Sequence, residues 1–150
     1  MRAILQRVSD CEVIVDAQSV AKSGLGLLVL LGVEDADTAE DAQWLARKIA
    51  QMRIFEDTAG AMNTSVMDED GDVVVVSQFT LHAATKKGNR PSFIKAARPE
   101  VAEPLYRRFV EQLEQHLGKQ VQTGIFGAMM QVQLTNQGPV TIFIDTKNKE

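Results

Sequence analysis

Residues 73–76 are four consecutive valines, and no other stretch of the chain limits the fold so severely. β-Branched side chains favour extended backbone, and a strand that is apolar at every position has no face to leave in water. Such a strand must be covered on both sides. Leu27–Leu31 makes the same demand, after a turn punctuated by Gly24 and Gly26. With 150 residues, 45% of them hydrophobic, the chain can bury roughly two thirds of its unfolded surface, enough for one core without staples. The sequence shows no internal repeat, low-complexity segment or linker, so a single domain over 1–150 is expected.

Around these buried strands the pattern alternates. Ala3–Val8 and Cys11–Val15 read as two strands separated by a break at Ser9-Asp10, followed by a polar turn at Asp16-Ala17-Gln18-Ser19. Asp37-Thr38-Ala39-Glu40 has the form of a helix start, and Ala42, Leu45, Ile49 and Met52 follow as one apolar stripe. Arg53–Glu56 reads as a short strand. A second helix is expected from Pro99 to about Leu117, with Gly118 as its stop and Val101, Leu105, Phe109, Leu113 and Leu117 on its inner face. Gln120–Thr123, Met129–Leu134 and Val140–Asp145 are three more strand candidates, the last two on either side of a turn at Thr135–Pro139. Residues 82–98 show neither period and read as a long loop. Strands at both ends with two main helices between them predict an α+β domain with a mostly antiparallel or mixed sheet.

Several chemistries lack their residues. Gly24-Leu25-Gly26 would need its third fingerprint glycine at Val29, and Asp68, Asp70 and Asp72 would need a calcium-loop glycine at Val73 and a glutamate at Phe79. Both read as turns. There is no nucleophile elbow, phosphate-binding P-loop or His-Glu-x-x-His helix. Two histidines and one cysteine leave little for a transition-metal site, so neither metal nor other cofactor is expected. Cys11, in an apolar strand, reads as a core residue, and His116 as a surface residue near a helix end. Thr80 and His82 would share a face if the strand continued beyond Ser77, leaving a hydrolase pair as a minor alternative. No apolar run is long enough to span a bilayer, and the N-terminus lacks a signal-peptide core, which makes a cytoplasmic location the expectation.

Charge is unevenly placed. The formal net charge is −4, from 16 basic and 20 acidic residues. Lys86, Lys87, Arg90, Lys95 and Arg98 fall within one acid-free stretch, which leaves 11 basic against 20 acidic residues elsewhere, or −9. One cationic loop on an acidic protein is either a solvated loop or a site for phosphates.

Taken together, Ser77-Gln78-Phe79-Thr80-Leu81 and Asn136-Gln137-Gly138-Pro139-Val140-Thr141 resemble the two signature motifs of the D-aminoacyl-tRNA deacylases of the bacterial and eukaryotic type. The resemblance extends to Met1–Val8 and to Lys87-Gly88-Asn89-Arg90-Pro91-Ser92-Phe93. It implies hydrolysis of the ester between a D-amino acid, or glycine, and the terminal adenosine of tRNA, a form of translational proofreading. It also implies a homodimer, with a barrel-like assembly conceivable and sites at the interface. There Gly138 and Pro139, joined by a cis bond that Pro base rates alone would make trans, enter the partner's pocket and exclude L-amino acids.

On this resemblance Ser77, Gln78, Phe79 and Thr80 form the catalytic segment. Backbone amides near Phe79 and Thr80 hold the ester, and the substrate's 2′-hydroxyl helps activate water. On side-chain grounds Thr80 is the natural nucleophile, but no base accompanies it. Phe126 and Met130 could form an apolar shelf for the adenine or simply belong to the core. Arg7 could orient the Gly138-Pro139 turn or make only a surface pair. Lys86, Lys87 and Arg90 are candidate tRNA contacts. The readings from other classes are an RNA-end or peptide-binding module using the cationic loop, and a generic serine or threonine esterase.

Overall fold

The computed structural model describes residues 1–150. Its spine is β1 (Arg2–Val15), which changes neighbours halfway along. Its first half pairs antiparallel with β3 (Gly26–Gly32), from Arg2 opposite Gly32 to Val8 opposite Gly26. Its second half pairs with β2 (Gln18–Ser23), from Cys11 opposite Ser23 to Val15 opposite Gln18. The break expected at Ser9-Asp10 is therefore wrong: these polar residues mark an exchange of partners within one strand. The expected turn is also shorter. Only Asp16 and Ala17, at φ 48° and 62°, lie between the strands, in the two-residue form whose twist suits a hairpin. Gln18 and Ser19 already belong to β2.

After β3 come α1 (Ala39–Gln51), a short hairpin of β4 (Phe55–Glu56) and β5 (Met62–Thr64), and β6 (Asp72–Ser77). A single 3₁₀ turn follows at Phe79–His82, then α2 (Pro99–Leu117), β7 (Gln122–Thr123) and β8 (Gln131–Asp145). β6 lies parallel to β3 on one side and to β7 on the other. The result is the expected α+β domain, with a mixed sheet that is nearly closed because β2 curls round to touch β6 and β7.

Both faces of β6 are buried, as four valines in a row require. Val73 and Val75 join Leu5, Leu27, Val29 and the two helices in the larger core, while Val74 and Val76 join Val8, Cys11, Val13 and Leu28 in a smaller one. Each such side chain contributes about 1.5–3 kcal/mol when fully buried. The helices start and stop by ordinary capping chemistry. Asp41 Oδ2 accepts from Thr38 N at 2.8 Å, and Gly118 ends α2 in the left-handed conformation at φ 67°. The inner stripe of α2 is Ala102, Tyr106, Phe109 and Leu113, with Leu105 and Leu117 packed at its margins. Val101 is displaced to the surface, 41% exposed.

The two strands predicted around Asn136–Pro139 are one strand. β8 runs antiparallel to β1 throughout, but Gln6 faces Thr141 while Val8 faces Asn136. Four residues, Gln137–Val140, therefore bulge out opposite Arg7 alone. Asn136 closes the base of this bulge by accepting from Val140 N at 2.8 Å and donating to Val140 O at 3.2 Å. The side chain thus replaces the missing ladder bonds and lets β8 resume its direction. No helix is long and apolar enough to cross a membrane.

Candidate active site

Gln78 leaves β6 at φ −144°, ψ 78°, and the chain folds immediately into the Phe79–His82 turn. The strand of valines ends at Ser77. Gln78 N donates to Leu31 O at 2.7 Å, the last rung shared with β3. The turn is made by Leu81 N on Gln78 O and Ala83 N on Thr80 O. Phe79 and Thr80 occupy its first two positions, where helical geometry provides no intrahelical acceptor for the N–H, and no side chain caps them. Such amides are available to an oxygen that carries negative charge.

The side chains nearby do not form a hydroxyl–imidazole pair. Thr80 Oγ1 accepts from Gln78 Nε2 at 2.5 Å. His82 is 1% exposed, and neither of its ring nitrogens has a partner. The shared strand face supposed for Thr80 and His82 does not exist, because the turn rotates successive side chains away from one another. Cys11 is also unsuited to attack: burial and the neighbouring Asp10 push its thiol up to about 11.

The first motif opens on a cavity of about 370 Å³. Ser77, Gln78 and Phe79 form one wall, and Leu31 and Val33 continue it. Tyr106 and Phe126 form an aromatic floor, with ring centroids 5.5 Å apart. Tyr106 is fixed there because its hydroxyl donates to Val75 O at 3.0 Å, and burial pushes the phenol up to about 12. Phe93 meets Phe79 edge to face at 5.2 Å across the mouth. The space is mostly apolar, with aromatic side chains in its lining on which a ring system can pack.

The other expected residues divide by position. Phe126 lines the cavity. Met130 does not; it packs with Val132 and Leu134 against the smaller core. Lys86, Lys87 and Arg90 are exposed at the tip of the 83–98 loop, whose stem is closed by reciprocal bonds between Ala84 and Ser92. Arg98 is the loop cation that reaches the cavity lining. Sequence reading missed Phe93, Arg98 and Tyr106 as lining residues. A signal for Tyr106 was present, since a lone tyrosine on the inner stripe of a helix needs a buried acceptor.

Gly138 and Pro139 stand elsewhere. No residue of Asn136–Val140 lines the cavity; Gln137 and Gly138 instead border a shallower recess of about 270 Å³ with Arg7, Leu25 and Glu56. The Gly138–Pro139 bond is cis. Arg7 is 7% exposed, so it is no surface pair: Nε donates to Gln137 O at 2.9 Å and Nη1 to Ile54 O at 2.8 Å. Gly138, at φ 140°, has no room for a side chain, because a Cβ would lie 2.8 Å from Val140 Cγ2 and 3.1 Å from Arg7 Nη2. One chain therefore holds the two motifs apart.

Comparison with known proteins agrees over the full length. A family described as D-Tyr-tRNA(Tyr) deacylase matches residues 4–145. Proteins named D-aminoacyl-tRNA deacylase from Flavobacterium johnsoniae and Parabacteroides distasonis are 61% and 57% identical over 150 residues, covering 100% of both chains in each comparison. A solved structure described as c-Myc DNA Unwinding Element Binding Protein has a TM-score of 0.90 at 40% identity, covering 97% of this chain and 98% of that one. Another, described as a probable eukaryotic D-amino acid tRNA deacylase, has a TM-score of 0.84 at 19% identity, covering 95% and 97%, and speaks for the fold alone.

Proposed function

The chain belongs to the D-aminoacyl-tRNA deacylase family, a family of hydrolases, and from that premise we propose how its two motifs divide the work between two copies of the chain. One copy supplies the cavity and the Phe79–Thr80 backbone; the other supplies Gly138 and Pro139. The observation that carries this reading is the separation of the motifs. Each is built with care in the single chain, and neither faces the other.

In the proposed complex the terminal adenosine of tRNA lies in the apolar cavity, its base on Phe126. Lys86, Lys87 and Arg90 offer cations to phosphates farther along the strand, as a ligand touched only at its end requires. The ester carbonyl oxygen points at the Phe79 and Thr80 amides. Water attacks the carbonyl carbon, the oxyanion is held by those amides, and the ribose 2′-hydroxyl relays the proton that the departing 3′-oxygen takes up. The products are a free amino acid and an uncharged tRNA. No metal and no acyl-enzyme are needed.

Selection works by rejection. The partner's Gly138-Pro139 backbone, held by its own Arg7, stands close to the substrate Cα on the side where an L-amino acid carries its side chain. One rigid obstacle excludes every L-residue whatever its chemistry, whereas positive recognition would need a pocket for each D-side chain. Glycine, with nothing on either side, passes. The domain acts in the cytoplasm as a homodimer.

The test is deacylation of D-tyrosyl-tRNA and L-tyrosyl-tRNA by wild type and Gly138→Ala, with light scattering to count subunits. Wild type should release the D-amino acid selectively and Gly138→Ala should lose selectivity or activity. Co-assembly of Gly138→Ala chains with chains whose cavity is filled by Ala102→Trp should restore part of the activity, because each mixed dimer keeps one intact composite site. A monomer in solution, or equal cleavage of both enantiomers by wild type, would refute the reading.

A further inference from the structure

Arg2 opens β1, and its side chain joins two elements that are distant in sequence. Nε donates to Asp145 Oδ2 at the end of β8, at 2.9 Å. Nη1 donates to the carbonyl oxygen of Leu81, also at 2.9 Å. Leu81 belongs to the turn that begins with Phe79 and Thr80. The ion pair to Asp145, 31% and 11% exposed on its two sides, ties the ends of β1 and β8 together, while the bond to the turn is made by a separate nitrogen of the same guanidinium.

The same turn also lies against Gly32, the residue paired with Arg2 in β3. A Cβ at Gly32 would lie 2.9 Å from Gln78 O and 3.1 Å from both Leu81 Cβ and His82 Cδ2. The two ends of the turn therefore rest against bare backbone at Gly32, its start is tied to Leu31 through Gln78 N, and its end is tied to Arg2 through Leu81 O. Arg2 is absent from the residues lining the cavity. Its bond to the turn is made through a carbonyl two peptide units beyond the Thr80 amide and three beyond that of Phe79.

We propose that Arg2 is a positioning residue for deacylation, holding the Leu81 carbonyl so that the Phe79–Thr80 backbone keeps its angle to the cavity, without touching substrate. The proposal rests on the reading above that this backbone holds the ester. Backbone donors catalyse only if they point at the developing oxyanion, and a 1 Å displacement of such groups can cost on the order of 100-fold in rate. Arg7 and Arg2 would then divide β1 between them, one holding each motif.

Steady-state deacylation of D-tyrosyl-tRNA by the full-length dimer tests this. Arg2→Ala should lower kcat by about 10- to 100-fold with KM within about threefold of wild type, as expected for a contact that matters only in the transition state. The ratio of D- to L-cleavage should not move, because Gly138 and Pro139 are not involved. Arg2→Lys, which can still reach the Leu81 carbonyl, should recover most of the loss. Asp145→Asn, which removes the carboxylate but leaves the Leu81 bond, should stay within about threefold of wild-type kcat.

An unchanged kcat in Arg2→Ala would overturn the proposal. So would an equal kcat loss in Asp145→Asn, which would trace the effect to the β1–β8 end, or a raised KM at constant kcat, which would mean direct tRNA contact. Should Arg2→Ala fail to fold, Arg2→Lys and Arg2→Gln make the same comparison, and equal kcat values in the two would overturn it. Failure of the underlying reading shows separately, as wild-type kcat in a chain whose Thr80 N–H is replaced by an ester oxygen.

Discussion

Arg7 Nε lies 2.9 Å from Gln137 O, and this one bond sets where the second motif stands relative to the spine of the sheet. The bulge of Gln137–Val140 has no ladder partner on β1 except Arg7 itself. The guanidinium also reaches Ile54 O at 2.8 Å and approaches Glu56 at 3.9 Å, so it ties the bulge to the segment after α1. A buried cation with two carbonyl acceptors is satisfied, and its loss would leave both acceptors without their donor.

Replacing Arg7 by alanine should therefore free the bulge. Each bond from a charged donor is worth about 1.5–3 kcal/mol, so a lowered Tm is expected. The functional consequence should be a poorer choice of hand: L-tyrosyl-tRNA cleavage should rise by about tenfold relative to D-tyrosyl-tRNA, since a mobile obstacle excludes less well. Parallel measurement of both substrates reads this directly. Unchanged discrimination in a folded Arg7→Ala protein would remove Arg7 from the proposed mechanism.

Thr80→Ala should retain most of the activity. Its hydroxyl is occupied by Gln78 Nε2, and no imidazole or carboxylate is bonded to it. Loss of kcat by no more than about tenfold is expected, against the 10⁴-fold or more that removal of a true nucleophile costs. Acid quenching followed by mass spectrometry should find no acyl group on the chain, and a chelator should leave the rate unchanged. An acylated Thr80 would establish the esterase alternative.

Much of the fold was legible because burial is written as repetition. Val73–Val76 and Leu27–Leu31 announced strands covered on both faces, and Thr38, Pro99 and Gly118 marked helix ends through their own capping chemistry. What sequence could not show was where strands change partners. Ser9-Asp10 and Asn136–Pro139 both look like stops, yet β1 and β8 continue through them because each has a neighbour waiting on the far side. The turn at Phe79–His82 was hidden for the converse reason. Its apolar and polar residues still alternate, and the close approach to Gly32 that accompanies the turn is visible only in the folded chain. The site followed the same rule: its motifs were recognisable as strings, while Phe93 and the buried state of Arg7 emerged only from packing.

The acid limb of stability should depend on Asp41. Burial pushes its carboxyl up, but Lys147, the Thr38 N–H and the Thr146 hydroxyl outweigh burial and hold it well below the ordinary carboxylate range. A group whose folded-state pKa is depressed stabilises the fold above its unfolded value, about 4, and that contribution is lost as pH falls through the folded one. Asp41→Asn should accordingly lower Tm at pH 7 and flatten the decline of Tm below about pH 4. A variant whose Tm falls with acid as steeply as wild type would assign that decline to other carboxylates, such as Asp145, which is also held low.

Glycyl-tRNA provides the sharpest test of how the hand is chosen. If Gly138-Pro139 excludes substrates by occupying the space of an L-side chain, then the penalty should appear with the first carbon on that side and not depend on its chemistry. L-Alanine carries that carbon and glycine does not, although the two esters are otherwise alike in charge, in hydrogen bonding and in their adenosine. Glycyl-tRNA should thus be cleaved more than about 200-fold faster than L-alanyl-tRNA, a clash being more costly than the 10- to 200-fold that a missing methylene in a pocket can yield. D-Alanyl-tRNA should resemble glycyl-tRNA, its methyl directed away from the obstacle. Equal rejection of the glycyl and L-alanyl esters would mean that the site recognises a D-side chain positively, and the exclusion account would have to be abandoned.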